Sequence, residues 1–252
     1  MGTKLAKSII VVISFFAAIS CTAKGKVSSS YTINVDVSLG GELLETSGLV
    51  CDSSGIYSIN DSGNAPELFE LNQKGEAMAR SLALKNKDWE ALTASETHFY
   101  VADIGNNGGK RKDLTIYAVV RDGLSPDGKM VVQYEDNKPS KNVSLAHDFD
   151  GEALTYVANK LVLFSKSWKS KTAKVYFVDI DKKLQKLKVQ ASIEGLPGVI
   201  TGADFDDSTS TYTVVGYEMG GFGFSIPFIA KLSADFKAVS YTHLTLPTIY
   251  SV

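Results

Sequence analysis

The stretch that decides the fold is Asp150-Gly151-Glu152-Ala153-Leu154, because similar stretches recur along the chain. The other copies are Glu45-Thr46-Ser47-Gly48-Leu49, Asp88-Trp89-Glu90-Ala91-Leu92 and, shifted by one residue and weakest, Thr201-Gly202-Ala203-Asp204-Phe205. Each copy combines acidic or small polar residues with a large apolar residue. A pattern that returns at intervals of roughly 45–60 residues predicts a repeat architecture.

Each copy is followed by runs that predict further strands, because they are rich in β-branched and aromatic residues and bounded by turn residues. Second strands are predicted at 56–60, 99–103, 161–165 and 212–217, third strands at 68–71, 114–120, 174–180 and 228–232, and fourth strands at 78–84, 130–134 and 187–193. Stacked four-stranded antiparallel sheets bury each other's faces. The sequence therefore predicts an all-β fold, a β-propeller of four-stranded blades. A β-sandwich, the alternative, would not explain the recurring acidic pattern.

The ring is expected to be incomplete, with the propeller domain spanning residues 31–238. Tyr31–Val37 alternates apolar and polar residues and predicts an N-terminal strand that closes the last blade. Rings usually hold four to eight blades, so four blades and a closing strand suggest a truncated ring. The stretch from Val239 to Thr248 resembles a translated transposon-derived sequencing adapter. A non-native tail is therefore expected at 239–252, the alternative being a genuine terminal strand.

The N-terminus predicts export and lipidation. Lys4 and Lys7 precede an apolar run, Ile9–Ile19, which is shorter than the ~20 residues of a membrane-spanning helix. Ala18-Ile19-Ser20-Cys21 resembles a bacterial lipobox. We therefore expect a lipoprotein signal peptide at 1–20, a lipid on Cys21 and a Ser-rich tether at 21–30, with ordinary cleavage as the alternative. The protein is then expected in the bacterial cell envelope, periplasm or cell surface, with the membrane as a partner.

Charge and cysteine content exclude some classes. The formal net charge of -2 argues against a nucleic-acid-binding surface, which would carry a basic excess. If Cys21 carries lipid, Cys51 has no partner for an internal disulfide. Its apolar neighbours Leu49 and Val50 favour a small buried residue at Cys51, the alternative being a catalytic thiol.

The repeated acids are the candidate metal ligands. Inner strands of a propeller line its channel, so acids that open each inner strand would converge near one mouth. Converging carboxylates repel one another, and a hard cation such as calcium would relieve that repulsion. The candidate ligands are Glu45, Glu90, Glu152 and Asp204.

Polar residues after the second strands are candidates for ligand binding at the same mouth. The alternative is ordinary turn chemistry, because Asp and Asn bond their own backbone. The acids at the strand starts have a structural alternative too, as hydrogen-bond acceptors for a neighbouring blade. The ligand-binding candidates are Asp61, Asn64, Asp103, Asn106, Asn107, Lys166, Trp168, Tyr217 and Glu218.

Other clusters are weaker candidates. His147-Asp148-Phe149-Asp150 has no specific metal-ligand spacing and favours a solvated loop. The Lys-rich stretch from Asp181 to Lys188 predicts a solvated outer hairpin.

The Asp88–Leu92 and Asp150–Leu154 motifs, with Val101-Ala102-Asp103-Ile104-Gly105-Asn106-Asn107, resemble an uncharacterised family of bacterial secreted propellers. More loosely, the architecture is similar to paraoxonase- and gluconolactonase-type hydrolases and to phytase-like esterase propellers. That resemblance implies calcium held by Glu, Asn and Asp side chains at the channel.

Two functions follow from the sequence. The first is an anchored propeller that binds a small molecule, glycan or protein partner. The alternative is a calcium-dependent hydrolase of esters, lactones or phosphoesters, with Glu90, Glu152 or His147 as candidate catalytic residues.

Overall fold

A computed structural model describes residues 37–219 and 225–244 of the chain. The expected signal peptide, Cys21, the tether and most of the Tyr31–Val37 segment lie outside these residues, as does the tail beyond residue 244. The described part of the chain contains no helix that could span a bilayer.

The described residues form a four-bladed β-propeller of antiparallel sheets, which confirms the predicted fold class. Blade 1 contains β1 (Thr46–Asp52), β2 (Gly55–Asn60), β3 (Glu67–Leu71) and β4 (Ala77–Ser81). Blade 2 contains β5 (Trp89–Ala94), β6 (His98–Asp103), β7 (Leu114–Val120) and β8 (Pro126–Tyr134). Blade 3 contains β9 (Gly151–Val157), β10 (Lys160–Ser165), β11 (Ala173–Asp179) and β13 (Val189–Ile193), and β12 (Leu184–Leu187) precedes β13.

Blade 4 contains β14 (Val199–Asp206), β15 (Thr211–Met219), β16 (Ser225–Ser233) and β17 (Ala238–His243). Five residues of the predicted adapter-derived tail, 239–243, lie in β17, which pairs antiparallel with β16. The origin of these residues stays a prediction, but they supply the outer strand that the fourth blade needs. Two short 3-10 helices, Gly41–Leu43 and Pro139–Lys141, complete the described elements.

Neighbouring blades pack face to face through apolar side chains. Each sheet packs on the next, so the burial of apolar side chains, and not strand pairing alone, holds the blades together. Blades 1 and 2 share a cluster that includes Ile59, Leu68, Leu92 and Phe99. A second cluster joins blade 2 to blade 3 and includes Ile116, Tyr134, Leu154 and Tyr176. A third joins blade 3 to blade 4 and includes Phe164, Ile200, Val214 and Phe228.

The stretch from Asp181 to Lys188 does not form the predicted solvated hairpin. Its central residues form β12, which pairs in parallel with β8 of blade 2. The Val131 N–H donates to the Lys183 carbonyl at 2.8 Å, and the Glu135 N–H donates to the Leu187 carbonyl at 3.0 Å. Leu187 is buried against the cluster between blades 2 and 3. The lysines still face solvent, so the stretch is amphipathic, and the outer strand of blade 3 begins only at Val189.

Cys51 is exposed, so the prediction of a small buried residue at this position is wrong. Strand β1 carries Leu49 and Cys51 on its exposed face, and both line a cavity at one end of the channel. Apolar neighbours in the sequence therefore did not indicate burial here, because they alternate along a strand.

Candidate functional site at the channel mouth

The four inner strands carry a β-bulge at equivalent positions. Pairing with the second strand skips one residue between Thr46 and Gly48, between Trp89 and Ala91, between Gly151 and Ala153, and between Ile200 and Gly202. A bulge bends its strand and re-aims the extra side chain. The four bulged residues are Ser47, Glu90, Glu152 and Thr201.

The bulged residues meet at one end of the channel, in what we call the mouth. The mouth is a cavity of about 330 Å³ lined by Glu45, Thr46, Ser47, Asp61, Glu90, Glu152 and Thr201. It continues into the channel, which residues from all four inner strands line. The repeat therefore brings Glu45, Glu90 and Glu152 together, as the sequence predicts.

Asp204 does not join them. The strand register makes Thr201, not Asp204, the counterpart of Glu90 and Glu152, so the fourth copy of the motif is Val199–Ala203. Asp204 is exposed and lines the cavity at the opposite end of the channel, where the Thr155 hydroxyl donates to its carboxylate at 3.4 Å. The acid at residue 204 made Thr201–Phe205 resemble the motif, two residues later in the sequence than its true fourth copy.

Glu90 lies among other carboxylates without a partner. Its side chain belongs to a residue only 9% exposed, and no hydrogen bond or ion pair reaches it from any described residue. One oxygen each from Asp61, Asp88 and Glu90 lie within 4.8 Å of one another. We call these three residues the acidic triad. Burial, followed by repulsion from Glu152, Asp61 and Asp88, raises the pKa of Glu90 from 4.5 to about 10.

The triad is shaped by a close approach of backbone at Gly105. A Cβ atom added at this glycine would collide with both the Asp88 and the Glu90 carboxylates. The guanidinium Nη1 of Arg111 lies 4.0 Å from Asp88 Oδ2, too far for a hydrogen bond. Burial and repulsion from Asp61 raise the pKa of Asp88. Three carboxyl groups this close to one another disfavour their simultaneous ionisation.

On the other side of the mouth, Glu152 forms an ion pair with Lys166. The Lys166 Nζ is 3.0 Å from Glu152 Oε1, and the two side chains are 12% and 5% exposed. Lys166 also lies over the rings of Trp168 and Tyr217, 4.7 and 5.5 Å from their centroids. Burial raises the pKa of Glu152 to about 8, against the opposing attraction of Lys166.

A buried hydrogen-bond network supports the mouth from behind. Asp150 is fully buried and accepts from the Trp168 indole N–H at 2.7 Å and from the Asn106 backbone N–H at 2.6 Å. Burial raises the pKa of Asp150, against these two bonds. Asp103 is buried and paired with Arg111. Asp103 and Asn106 are therefore not among the residues that line the mouth, and their contacts are with the protein itself.

His147 does not reach the mouth, and its loop position is not solvated. The residue is 3% exposed. Its Nδ1 accepts from the Phe149 N–H at 3.1 Å, and its Nε2 lies 3.2 Å from the Asn107 carbonyl oxygen, to which it can donate. With both ring nitrogens bound to backbone groups, the imidazole has no free position for general-base chemistry.

The remaining candidates lie at the rim or beyond it. Asn64 donates to Glu45 Oε2 at 2.7 Å, so each side chain satisfies part of the other's hydrogen-bonding capacity. Asn107 is exposed, and Glu218 is 3.2 Å from His243 Nε2. Sequence reasoning missed Asp88 as a site residue, although its position before the inner strand matches that of Glu45 and Asp150.

No protein-family model matches the chain, and no curated protein is significantly similar to it. Solved structures do resemble it. The computationally designed Ika4 protein is 16% identical, with 76% of this chain and 94% of Ika4 covered and a TM-score of 0.36. The Dos1 propeller is 11% identical (79% and 47% covered, TM-score 0.44). A candidate 6-phosphogluconolactonase from Bacteroides uniformis is 12% identical (81% and 57% covered, TM-score 0.46).

This chain thus spans about half the length of the Dos1 and Bacteroides uniformis proteins. At these TM-scores the likenesses say nothing of the family or the ligand of this chain. The class of protein is therefore defined by the fold itself, a β-propeller with an acidic channel mouth.

Proposed function

We propose that this chain is a membrane-anchored, extracytoplasmic β-propeller that binds its ligand at the channel mouth, with calcium held by the acidic triad. The observation that carries the proposal is Glu90, a buried residue whose carboxylate has no hydrogen-bond or ion-pair partner within residues 37–219 and 225–244 and lies beside two further carboxylates. A cation bound among the three would displace the proton from Glu90 and offset the repulsion between the ionised carboxylates.

The chemistry of the triad favours a hard cation. Asp61, Asp88 and Glu90 offer oxygen atoms and no nitrogen or sulfur. Calcium takes six to eight oxygen ligands in flexible geometry, so three carboxylates leave positions for water and for oxygens of a bound partner. A glycan, peptide or small molecule would then complete the coordination from the solvent side of the mouth. The envelope location rests on the lipobox-like residues before Cys21.

The first test is a calcium titration by isothermal calorimetry of wild type, Glu90→Gln and Asp204→Asn. We expect wild type to bind one calcium ion and Glu90→Gln to lose at least about tenfold in affinity, because a neutral amide replaces a charged ligand. Asp204→Asn is the matched control, since that acid lies at the opposite end of the channel. An absence of binding to wild type, or an equal loss in both variants, would refute the calcium site.

A second candidate function is a calcium-dependent hydrolase of esters, lactones or phosphoesters. It is favoured by Lys166, whose ammonium is paired with the mouth residue Glu152 and would stabilise an oxyanion if it turned toward a substrate beside the metal. An assay of wild type on these three substrate classes, with calcium and then with chelator, separates the two functions. Turnover that needs calcium supports the hydrolase, and calcium binding without turnover supports the binding protein.

A further inference from the structure

Lys166 is held by three groups that together surround its ammonium. Glu152, which lies on β9, accepts a hydrogen bond from the ammonium. The ammonium also lies over the ring of Trp168, in the loop after β10, and over the ring of Tyr217, on β15. Trp168 is itself fixed by its indole hydrogen bond to Asp150. The three groups come from two neighbouring blades, and their positions are set by elements that do not depend on Lys166.

A carboxylate flanked by aromatic faces is the chemistry that recognises ammonium groups. The ring quadrupoles attract a cation within about 6 Å of the centroid, and the attraction grows when the cation is desolvated. Here the ammonium is largely buried, and the acid supplies a charge-assisted hydrogen bond. A buried carboxylate in such a setting requires a cation of some kind, and the chain provides one of its own.

We propose that Glu152, Trp168 and Tyr217 form a binding cage for a primary alkylammonium group, and that Lys166 fills this cage in the free protein. Lys166 is then a tethered competitor for an amine-bearing ligand at the mouth. Its four-carbon stem is flexible and its ammonium can turn outward to solvent. The inference goes beyond the calcium site, because none of the three cage residues belongs to the acidic triad.

The test opens the cage and offers it the part of the side chain that was removed. Lys166→Ala deletes the atoms from Cγ to Nζ, which n-propylammonium reproduces. We expect Lys166→Ala to bind n-propylammonium at least about tenfold more tightly than wild type, and to melt at a higher temperature in its presence. Calorimetry and thermal melting are both performed in chelator, so that the result does not depend on calcium.

Three controls assign any binding to the cage. Lys171→Ala removes a second lysine near the Trp168 ring, 5.7 Å from its centroid, without opening the cage, and should bind no better than wild type. Lys166→Ala with Glu152→Gln should lose the added affinity, and 1-propanol, which lacks the charge, should not bind. Lys166→Ser opens the same space and replaces Lys166→Ala if that variant does not fold.

The inference is overturned if both opened variants bind n-propylammonium no better than wild type, or if the gain survives Glu152→Gln. A protein that binds no calcium but gains amine binding would keep the cage and reject the metal site. The reverse result would keep the metal site and reject the cage.

Discussion

Glu90 owes its position to the backbone on either side of it. Trp89 and Ala91 remain paired with β6, so the extra residue between them cannot turn back into the sheet. Its carboxylate is instead directed to the mouth, toward Asp61 and Asp88. Ionising this carboxyl group without a counter-ion opposes folding, and strongly shifted groups of this kind are typical of functional sites.

Gly105 tests the triad without touching its charges. In Gly105→Ala, the added methyl group displaces the Asp88 and Glu90 carboxylates, which are the mobile ends of flexible side chains. We expect the variant to fold and to lose at least about tenfold in calcium affinity. Gly108→Ala is the control, because a Cβ there would meet only Lys110 Cγ, at an ordinary contact distance of 4.0 Å. Equal calcium affinities for the two variants would contradict the proposed geometry.

At the level of residues, the sequence indicated part of the mouth. Glu90 and Glu152 were predictable because the motif repeats around them. Asp88 opens its copy of the motif as Glu45 and Asp150 do, but the sequence does not show that Asp88 joins Glu90 while Asp150 bonds to Trp168 and Asn106. The pairing of Lys166 with Glu152 joins residues fourteen positions apart through a hairpin, and no local pattern distinguishes that lysine from its solvated neighbours.

Strand β12 shows how one blade stabilises the next. It leaves blade 3 after β11, pairs in parallel with the outer strand of blade 2, and returns to blade 3 as β13. The unpaired edge of blade 2 is thereby covered, which also protects it from pairing with other chains. Parallel pairing needs a long connection, so it could not be inferred from the hairpin-like spacing of this stretch.

Two leucines in β12 test how much the packing of this strand contributes to the free energy of unfolding. Leu187 is 2% exposed and packs in the cluster between blades 2 and 3, whereas Leu184 is 65% exposed. Leu187→Ala should lower the free energy of unfolding by about 2–5 kcal/mol, because it leaves a cavity. Leu184→Ala should change it by no more than about 0.5 kcal/mol. Denaturant unfolding gives both values, and similar losses would mean that β12 does not pack as described.

At the level of the strands, the bulges determine which side chains of the inner strands reach the mouth. All four inner strands have one, although only two of the bulged residues are acids. The bulge therefore recurs in all four inner strands, whereas an acidic side chain at the bulge occurs in only two of them. This is why the strands of blade 4 were predictable from apolar runs while its mouth residue, Thr201, was not.

For the whole molecule, the packing of successive blades is what brings distant acids together. Apolar clusters join blade 1 to 2, 2 to 3 and 3 to 4, in chain order. Periodic strands and a repeated motif were enough to predict this architecture. The completeness of the ring, the lipid anchor and the non-native tail stay predictions.

The burial of Glu90 predicts an unusual pH dependence. Its pKa rises from 4.5 to about 10 on folding, so the folded state favours the protonated form. That contribution to stability is complete below pH 4.5 and is lost as the pH rises toward 10. In chelator, melting temperatures of wild type should therefore fall between about pH 5 and pH 9.

Glu90→Gln removes the titrating group, so its melting temperature should fall less over the same range and exceed that of wild type at pH 8. A gain of about 2 °C or more would correspond to ~1 kcal/mol for a domain of this size. Calcium should stabilise wild type and leave the variant nearly unchanged. A wild-type curve parallel to that of Glu90→Gln would show that Glu90 is not held as a buried carboxyl group.

The most direct measurement is an anomalous difference map of a crystal grown without calcium and soaked in terbium chloride, since terbium occupies calcium sites. We expect a peak at about 2.3–2.6 Å from carboxylate oxygens of Asp61, Asp88 and Glu90. A map with no peak at the mouth, or with its strongest peak beside Asp204, would contradict it.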